Sequence, residues 1–210
     1  MLFKDSLEEI EKEIHNCKKC PLYKNRTRAV PGEGGFKKRI MIIGEAPGKN
    51  EDIQGRPFVG KAGELLDRLL GEIGLSRDDV YITNVVKCRP PENREPTDNE
   101  IMACKPYLIR QINVLKPKII VCLGRISSKT ISQMFNVRFT SMSNDHGRLF
   151  ESPIRPIKIF FTYHPAAALY NRIKLRDLEE DFKILNEIIE ELEEGVNLSK
   201  KKENDHKKRE

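Results

Sequence analysis

Cys17 and Cys20 form a C-x2-C pair, and Cys88 and Cys104 stand far downstream with fifteen residues between them. Two thiolates at the short spacing reach one metal centre, and two more complete a four-thiolate shell suited to zinc or an iron–sulfur cluster. Lys18, Lys19, Lys87, Arg89 and Lys105 crowd the set and would offset thiolate charge. Chemistry alone does not choose between zinc and iron–sulfur, and disulfides or unrelated thiols stay open as alternatives. Cys122, inside KIIVCLG, reads as a small buried apolar residue.

GRPFVGKA (55–62) is one residue short of a phosphate-binding loop. That loop needs a Ser or Thr hydroxyl for magnesium where Ala62 stands, and it joins a strand directly to a helix. The nearest apolar run ends at Gly44, and KNEDIQ between them is too polar for a buried strand. The glycines and Pro57 instead shape a loop that presents Phe58. Such an aromatic either stacks on a flat ligand or plugs the core.

The elements that must position these residues alternate regularly. Helical patterns cover 5–16, 62–74, 97–115, 125–135 and 174–194, with Thr97 or Asp98 capping the third; strand-length apolar runs cover 39–44, 80–84, 118–124 and 157–163. This order predicts an α/β fold, a parallel sheet with helices on both faces. Residues 136–156 read as a loop with room for a short edge strand. The unusual polar residues follow the strands: Gly44, Glu45 and Ala46 after the first, Asn84 closing the second, Gly124 and Arg125 after the third, His164 after the fourth. Ligands of open α/β sheets bind beyond the carboxyl ends of strands, so Glu45, Asn84 and His164 are expected to converge.

The chain has 210 residues, 38% hydrophobic and 33% charged, with a net charge of +6. The length suits one domain, assigned to 1–196. The end, 197–210, is expected to be a disordered basic tail; KKKENDHKKRE holds six Lys/Arg against three Asp/Glu. The positive excess suits a polyanionic partner, and the charge load leans toward a heat-adapted protein. No run approaches the ~18 apolar residues of a membrane span, and the N-terminus lacks a signal peptide's apolar stretch, so a cytoplasmic location without membrane contact is expected.

IIGEAPGKNEDIQGRPFVGKAGELLD (42–67), YITNVVKCRPPENREPT (81–97) and TYHPAAAL (162–169) together resemble the family 4 uracil-DNA glycosylases, iron–sulfur enzymes of thermophilic archaea and bacteria. The resemblance runs from about Cys17 to the last helix. It implies a three-layer α/β/α sandwich around four parallel strands. It implies that Cys17, Cys20, Cys88 and Cys104 hold a structural [4Fe-4S] cluster, and that GRPFVGKA belongs to a uracil pocket with Phe58 stacking on the base. Asn84 would read the base by donating to O4 and accepting from N3–H, and His164 would donate to O2 as charge develops there. Backbone amides of Gly44, Glu45 and Ala46 would hold the base from the strand end. The sequence departs from the family 1 motif G-Q-D-P-Y-H: Ala46 stands where that motif has the water-positioning Asp, and Gly48 where it has a Tyr. Glu45, assisted by Glu51, is therefore the candidate for positioning water, with Asp52 a further candidate.

The target base must leave the helix stack. Leu169, Tyr170 and Arg172 are the candidates for entering the duplex, and Lys87 and Arg89, with Lys49, Arg94 and Arg125, for holding its backbone. The expected partner is uracil-containing DNA, single- or double-stranded, met by a monomer, with a replication clamp as a further candidate. Competing readings are a non-catalytic nucleic-acid-binding module stapled by metal, a magnesium-dependent nucleotide hydrolase using GRPFVGKA, and a sister glycosylase of another base preference.

Overall fold

The computed structural model describes the backbone over residues 5–207 and the side chains as far as residue 195. β1 (Ile40–Gly44), β2 (Val80–Asn84), β3 (Ile119–Leu123), β4 (Arg148–Glu151) and β5 (Lys158–Thr162) make one sheet in the order β2-β1-β3-β5-β4. The first three and β5 run parallel, and β4 pairs antiparallel with β5 at the edge. Every residue of β1, β2 and β3 is buried, as strands covered on both faces must be.

Alternation along the strands feeds two cores. Met41, Ile43, Ile120 and Cys122 pack with residues of α1 (Leu7–Asn16), α4 (Asp98–Leu115) and α5 (Arg125–Phe135), among them Ile10, Ile14, Leu108 and Ile131. Ile40, Ile42, Val121 and Phe160 pack with α3 (Lys61–Glu72) and α8 (Arg172–Lys207), through Leu66, Leu69, Leu178 and Phe182. The result is the expected three-layer sandwich. Helix starts follow local chemistry. Ser6 and Thr97 each form a capping box with the Glu three residues on, satisfying backbone N–H groups that a helix start leaves open.

The structure departs from expectation in several places. The sheet has five strands rather than four, because RLFE pairs along β5. This strand lies in the stretch read as a loop. Its residues are only half-buried or exposed, so it carries no apolar run to announce it. That stretch also holds a one-turn helix, α6 (Met142–Asp145). KNEDIQ forms α2 (Lys49–Gln54), and α7 (Pro165–Ala168) follows β5. The last helix, expected to end at 194, continues to Lys207. The side chains of the basic end, 197–210, lie outside the described residues.

Parallel pairing places the ends of four strands on one edge. Gly44 lies beside Asn84 and Leu123 beside Thr162. The residues that follow these ends are therefore neighbours, although up to 120 positions separate Gly44 from His164.

Candidate functional site

Glu45 and Ala46 after β1, Asn84 at the end of β2 and His164 after β5 line one cleft of about 410 Å³, joined by Glu51 and Phe58 from the connection between β1 and β2. Gly44 closes it from behind. A Cβ there would lie 2.4 Å from Asn84 Oδ1 and 2.7 Å from Phe58 Cζ, so only glycine lets these two side chains meet. Asn84 is 1% exposed, and its Oδ1 has no hydrogen-bond partner among the described residues. Leaving a buried acceptor unpaired costs about 1–3 kcal/mol, which a ligand donor would recover.

Phe58 is held in an unusual conformation. Its φ is 51°, a region bulky side chains rarely occupy, and surrounding bonds enforce it. Arg77 donates to the carbonyls of Pro57 (2.9 Å) and Phe58, while Glu33 and Asp67 anchor the same guanidinium at 2.8 Å. Gly63 lets α3 approach, since a Cβ there would sit 1.8 Å from the Phe58 carbonyl oxygen. Glu51 accepts from the amides of Val59 (2.9 Å), Gly60 (3.2 Å) and Gly48 (3.1 Å). Both its oxygens are thus engaged by backbone, and it shapes the loop that carries Phe58. The Phe58 ring stacks on His164, centroids 5.4 Å apart and planes 27° from parallel.

His164 caps α7: its Nδ1 accepts from the Ala166 amide at 3.1 Å. An accepting Nδ1 leaves the ring proton on Nε2. Burial pushes the imidazole pKa down to about 4 against the opposing pull of Glu51, so the ring is neutral at pH 7. Half-buried Glu45 shifts the other way: burial raises its pKa, Glu95 adds to the rise and Arg125 opposes it. Arg125 is itself paired with Glu95 at 2.6 Å.

Cys17, Cys20, Cys88 and Cys104 line a second cavity, and all four are free thiols. Donors face their sulfurs: Arg26 Nη1 on Cys88 (3.0 Å), the Lys87 amide on Cys104 (3.3 Å) and the Lys19 amide on Cys17 (3.5 Å). Burial, with the neighbouring cysteines adding to the rise, pushes the Cys104 thiol up to about 12 and raises Cys20 and Cys88, so a bound cation would favour thiolates here. No three Cys, His, Asp or Glu side chains among the described residues gather closely enough for a single metal ion. A cluster interposed between sulfurs needs them farther apart than one ion does. The donor set fits such a cluster in number and in chemistry.

Other expected residues scatter. Lys87 is not a DNA contact: its side chain is 1% exposed, and its ammonium donates to Thr83 Oγ1 and the Asn84 carbonyl, out of reach of a phosphate. Arg94 lines the cleft but grips Glu100 with two bonds of 2.7 and 2.8 Å. Arg89 is half-buried and bonds Asn93, whereas Tyr170 is 88% exposed just beyond α7, with half-buried Leu169 before it and exposed Arg172 after it. Asp52 is buried and accepts from the amides of Thr27 and Arg28, so it does not face the cleft. GRPFVGKA joins α2 to α3, a helix-to-helix link without the strand-to-helix junction of a phosphate loop. Sequence reasoning missed Arg77 and Gly63, which carry no local signal. It also missed Arg26, although that residue lies six positions past Cys20.

Residues 31–193 match the family model described as the uracil DNA glycosylase superfamily. A type-4 uracil-DNA glycosylase of Sulfurisphaera tokodaii is 55% identical over 187 residues, covering 88% of this chain and 85% of that protein. Proteins of the same name from Saccharolobus solfataricus and Archaeoglobus fulgidus are 53% and 47% identical, each over 88% of this chain and over 87% and 94% of their own lengths. Among the described residues no helix is long and apolar enough to cross a membrane. With a strand-end cleft built on Asn84, Phe58 and His164 and a match of this length, the chain belongs to the type-4 uracil-DNA glycosylases of the uracil DNA glycosylase superfamily.

Proposed function

We propose that the protein excises uracil from DNA, hydrolysing the N-glycosidic bond of deoxyuridine and leaving an abasic site, as base excision repair of deaminated cytosine requires. The observation that carries this reading is the unpartnered Asn84 Oδ1, buried beside the Phe58–His164 stack. Uracil offers N3–H to that oxygen and O4 to the amide nitrogen. Cytosine reverses both, and a site built on such bonds rejects a mismatch by roughly 10⁴-fold or more. Phe58 covers the flipped base.

As the C1′–N1 bond breaks, both its electrons pass to the uracil ring, and negative charge grows on O2. His164, neutral with its proton on Nε2, is set up to donate there, worth about 3–4 kcal/mol for one preorganised donor. Backbone amides of Gly44, Glu45 and Ala46 are placed by β1 to hold the base edge. Water adds to C1′, and the proton it loses ends by way of solvent on the departing uracil anion; Glu45, the cleft carboxylate with no side-chain hydrogen bond among the described residues, orients the water. Glu51 positions the loop rather than the water.

Cys17, Cys20, Cys88 and Cys104 would hold a [4Fe-4S] cluster. When bound, it would supply the charge that keeps four thiolates ionised and cross-link three distant segments of the chain. Tyr170, Leu169 and Arg172 enter or flank the duplex, and Arg89 meets its backbone. The protein is expected to act as a monomer.

The test is an oligonucleotide carrying one deoxyuridine, incubated without magnesium, treated with alkali and run on a gel. Cleavage at that position is expected. An intact strand after long incubation overturns the reading.

A further inference from the structure

Lys87 lines the cysteine cavity and bonds the backbone of Asn84, which lines the cleft. Its amide donates to Cys104 Sγ at 3.3 Å, its carbonyl accepts from Val30 N at 2.8 Å, and Cys88 follows it in the chain. Its side chain turns back toward β2, where Nζ donates to Thr83 Oγ1 at 2.6 Å and to the Asn84 carbonyl at 2.8 Å. Thr83 Oγ1 passes its own proton to the Pro31 carbonyl at 2.6 Å, which Gln111 Nε2 also reaches at 2.9 Å. Two Nζ protons are met in this way, and because burying an unmet donor is costly the network holds the side chain in one place.

The bond to Asn84 falls where the strand stops. Past Asn84 the chain leaves the sheet, and Val85 and Val86 donate back to Gly44 and Glu45. The Asn84 carbonyl is taken by Lys87 instead of by a neighbouring strand. The carboxamide rides on the Cα of that same residue, so a peptide free to rotate there would swing it out of plane with the base.

We propose that Lys87 is a positioning residue for uracil recognition, tying the end of β2 to the cysteine cavity and so holding Asn84 at the angle that reads the base. The inference rests on the uracil pocket proposed above. It makes base reading depend on the integrity of the cysteine cavity, through one side chain.

Lys87→Met matches the four-atom apolar stem of the lysine and removes Nζ with its donors. We would make this variant, Asn84→Ala and the double variant. For each, single-turnover excision of deoxyuridine is measured, with affinity for an oligonucleotide carrying a non-hydrolysable deoxyuridine analogue, visible absorbance and melting temperature. Lys87→Met is expected to keep the absorbance, to excise about 10- to 100-fold more slowly and to bind the analogue more weakly, the scale of losing a charged hydrogen bond. In the Asn84→Ala background the same change is expected to cost less than about 3-fold, because what it positions is gone. Equal losses in both backgrounds mean general destabilisation and overturn the inference, as does wild-type excision by Lys87→Met.

An Asn84→Ala protein as active as the wild type would instead sink the uracil pocket itself. If Lys87→Met loses its absorbance, Thr83→Val, which removes one of the two acceptors of Nζ and leaves the lysine, goes through the same cycle. Additive losses there overturn the inference.

Discussion

Two cleft groups titrate away from their ordinary values in opposite senses, and the chemistry uses both shifts. His164 falls to about 4, so its imidazole is neutral at pH 7. Glu45 rises above its ordinary 4.5, so it is the first of the two to take a proton as pH falls. The excision rate should therefore drop on the acid side through the raised Glu45 value, before His164 is protonated. In Glu45→Gln this limb should vanish, leaving a fall only near about 4, on a rate lowered by about 10²-fold, the usual contribution of a positioned acid–base group. A pH series of single-turnover rates checks this, and an unchanged limb in the variant would remove Glu45 from the mechanism.

At the scale of elements, the connection from α2 to α3 exists to present one aromatic ring. Glu51 draws in the amides of 48, 59 and 60, Arg77 takes the carbonyls of 57 and 58, and α3 packs against the Phe58 backbone at Gly63. A methyl group at 63 meets backbone rather than a flexible side chain, so the loop must move. Gly63→Ala should destabilise the protein by about 1–3 kcal/mol, as overpacking does, and raise KM for deoxyuridine DNA as Phe58 shifts. Thermal unfolding and steady-state kinetics measure the two effects. A variant with both unchanged would show that Phe58 is not held from this side.

At the scale of the molecule, the cysteine cavity joins parts of the chain that share no strand. Cys17 and Cys20 follow α1, Cys88 follows β2, and Cys104 lies within α4. The purified protein should be brown, with the broad visible absorbance of iron–sulfur thiolates. Cys88→Ser should bleach it and lower the melting temperature, because metal binding is linked to folding. Colourless wild-type protein carrying zinc would replace the cluster with a single ion.

Much of this was legible in the sequence. Alternating apolar runs and helical patterns specify a parallel sheet, and a parallel sheet must bring its strand ends to one edge. Glu45, Asn84 and His164 could therefore be grouped without coordinates, and the cysteine spacing pointed to a thiolate shell while leaving disulfides and unrelated thiols open. What needed the tertiary structure was burial. Lys87 reads as a surface cation because Lys usually is one, and only the packing around β2 turns it inward. The clamp of Arg77 on Phe58, the engagement of both Glu51 oxygens and the proton on His164 Nε2 likewise depend on partners brought close by folding. The short edge strand allowed for within 136–156 could not be placed at 148–151 from sequence, because an edge strand draws its stability from pairing with a neighbour, and RLFE carries no apolar run of its own.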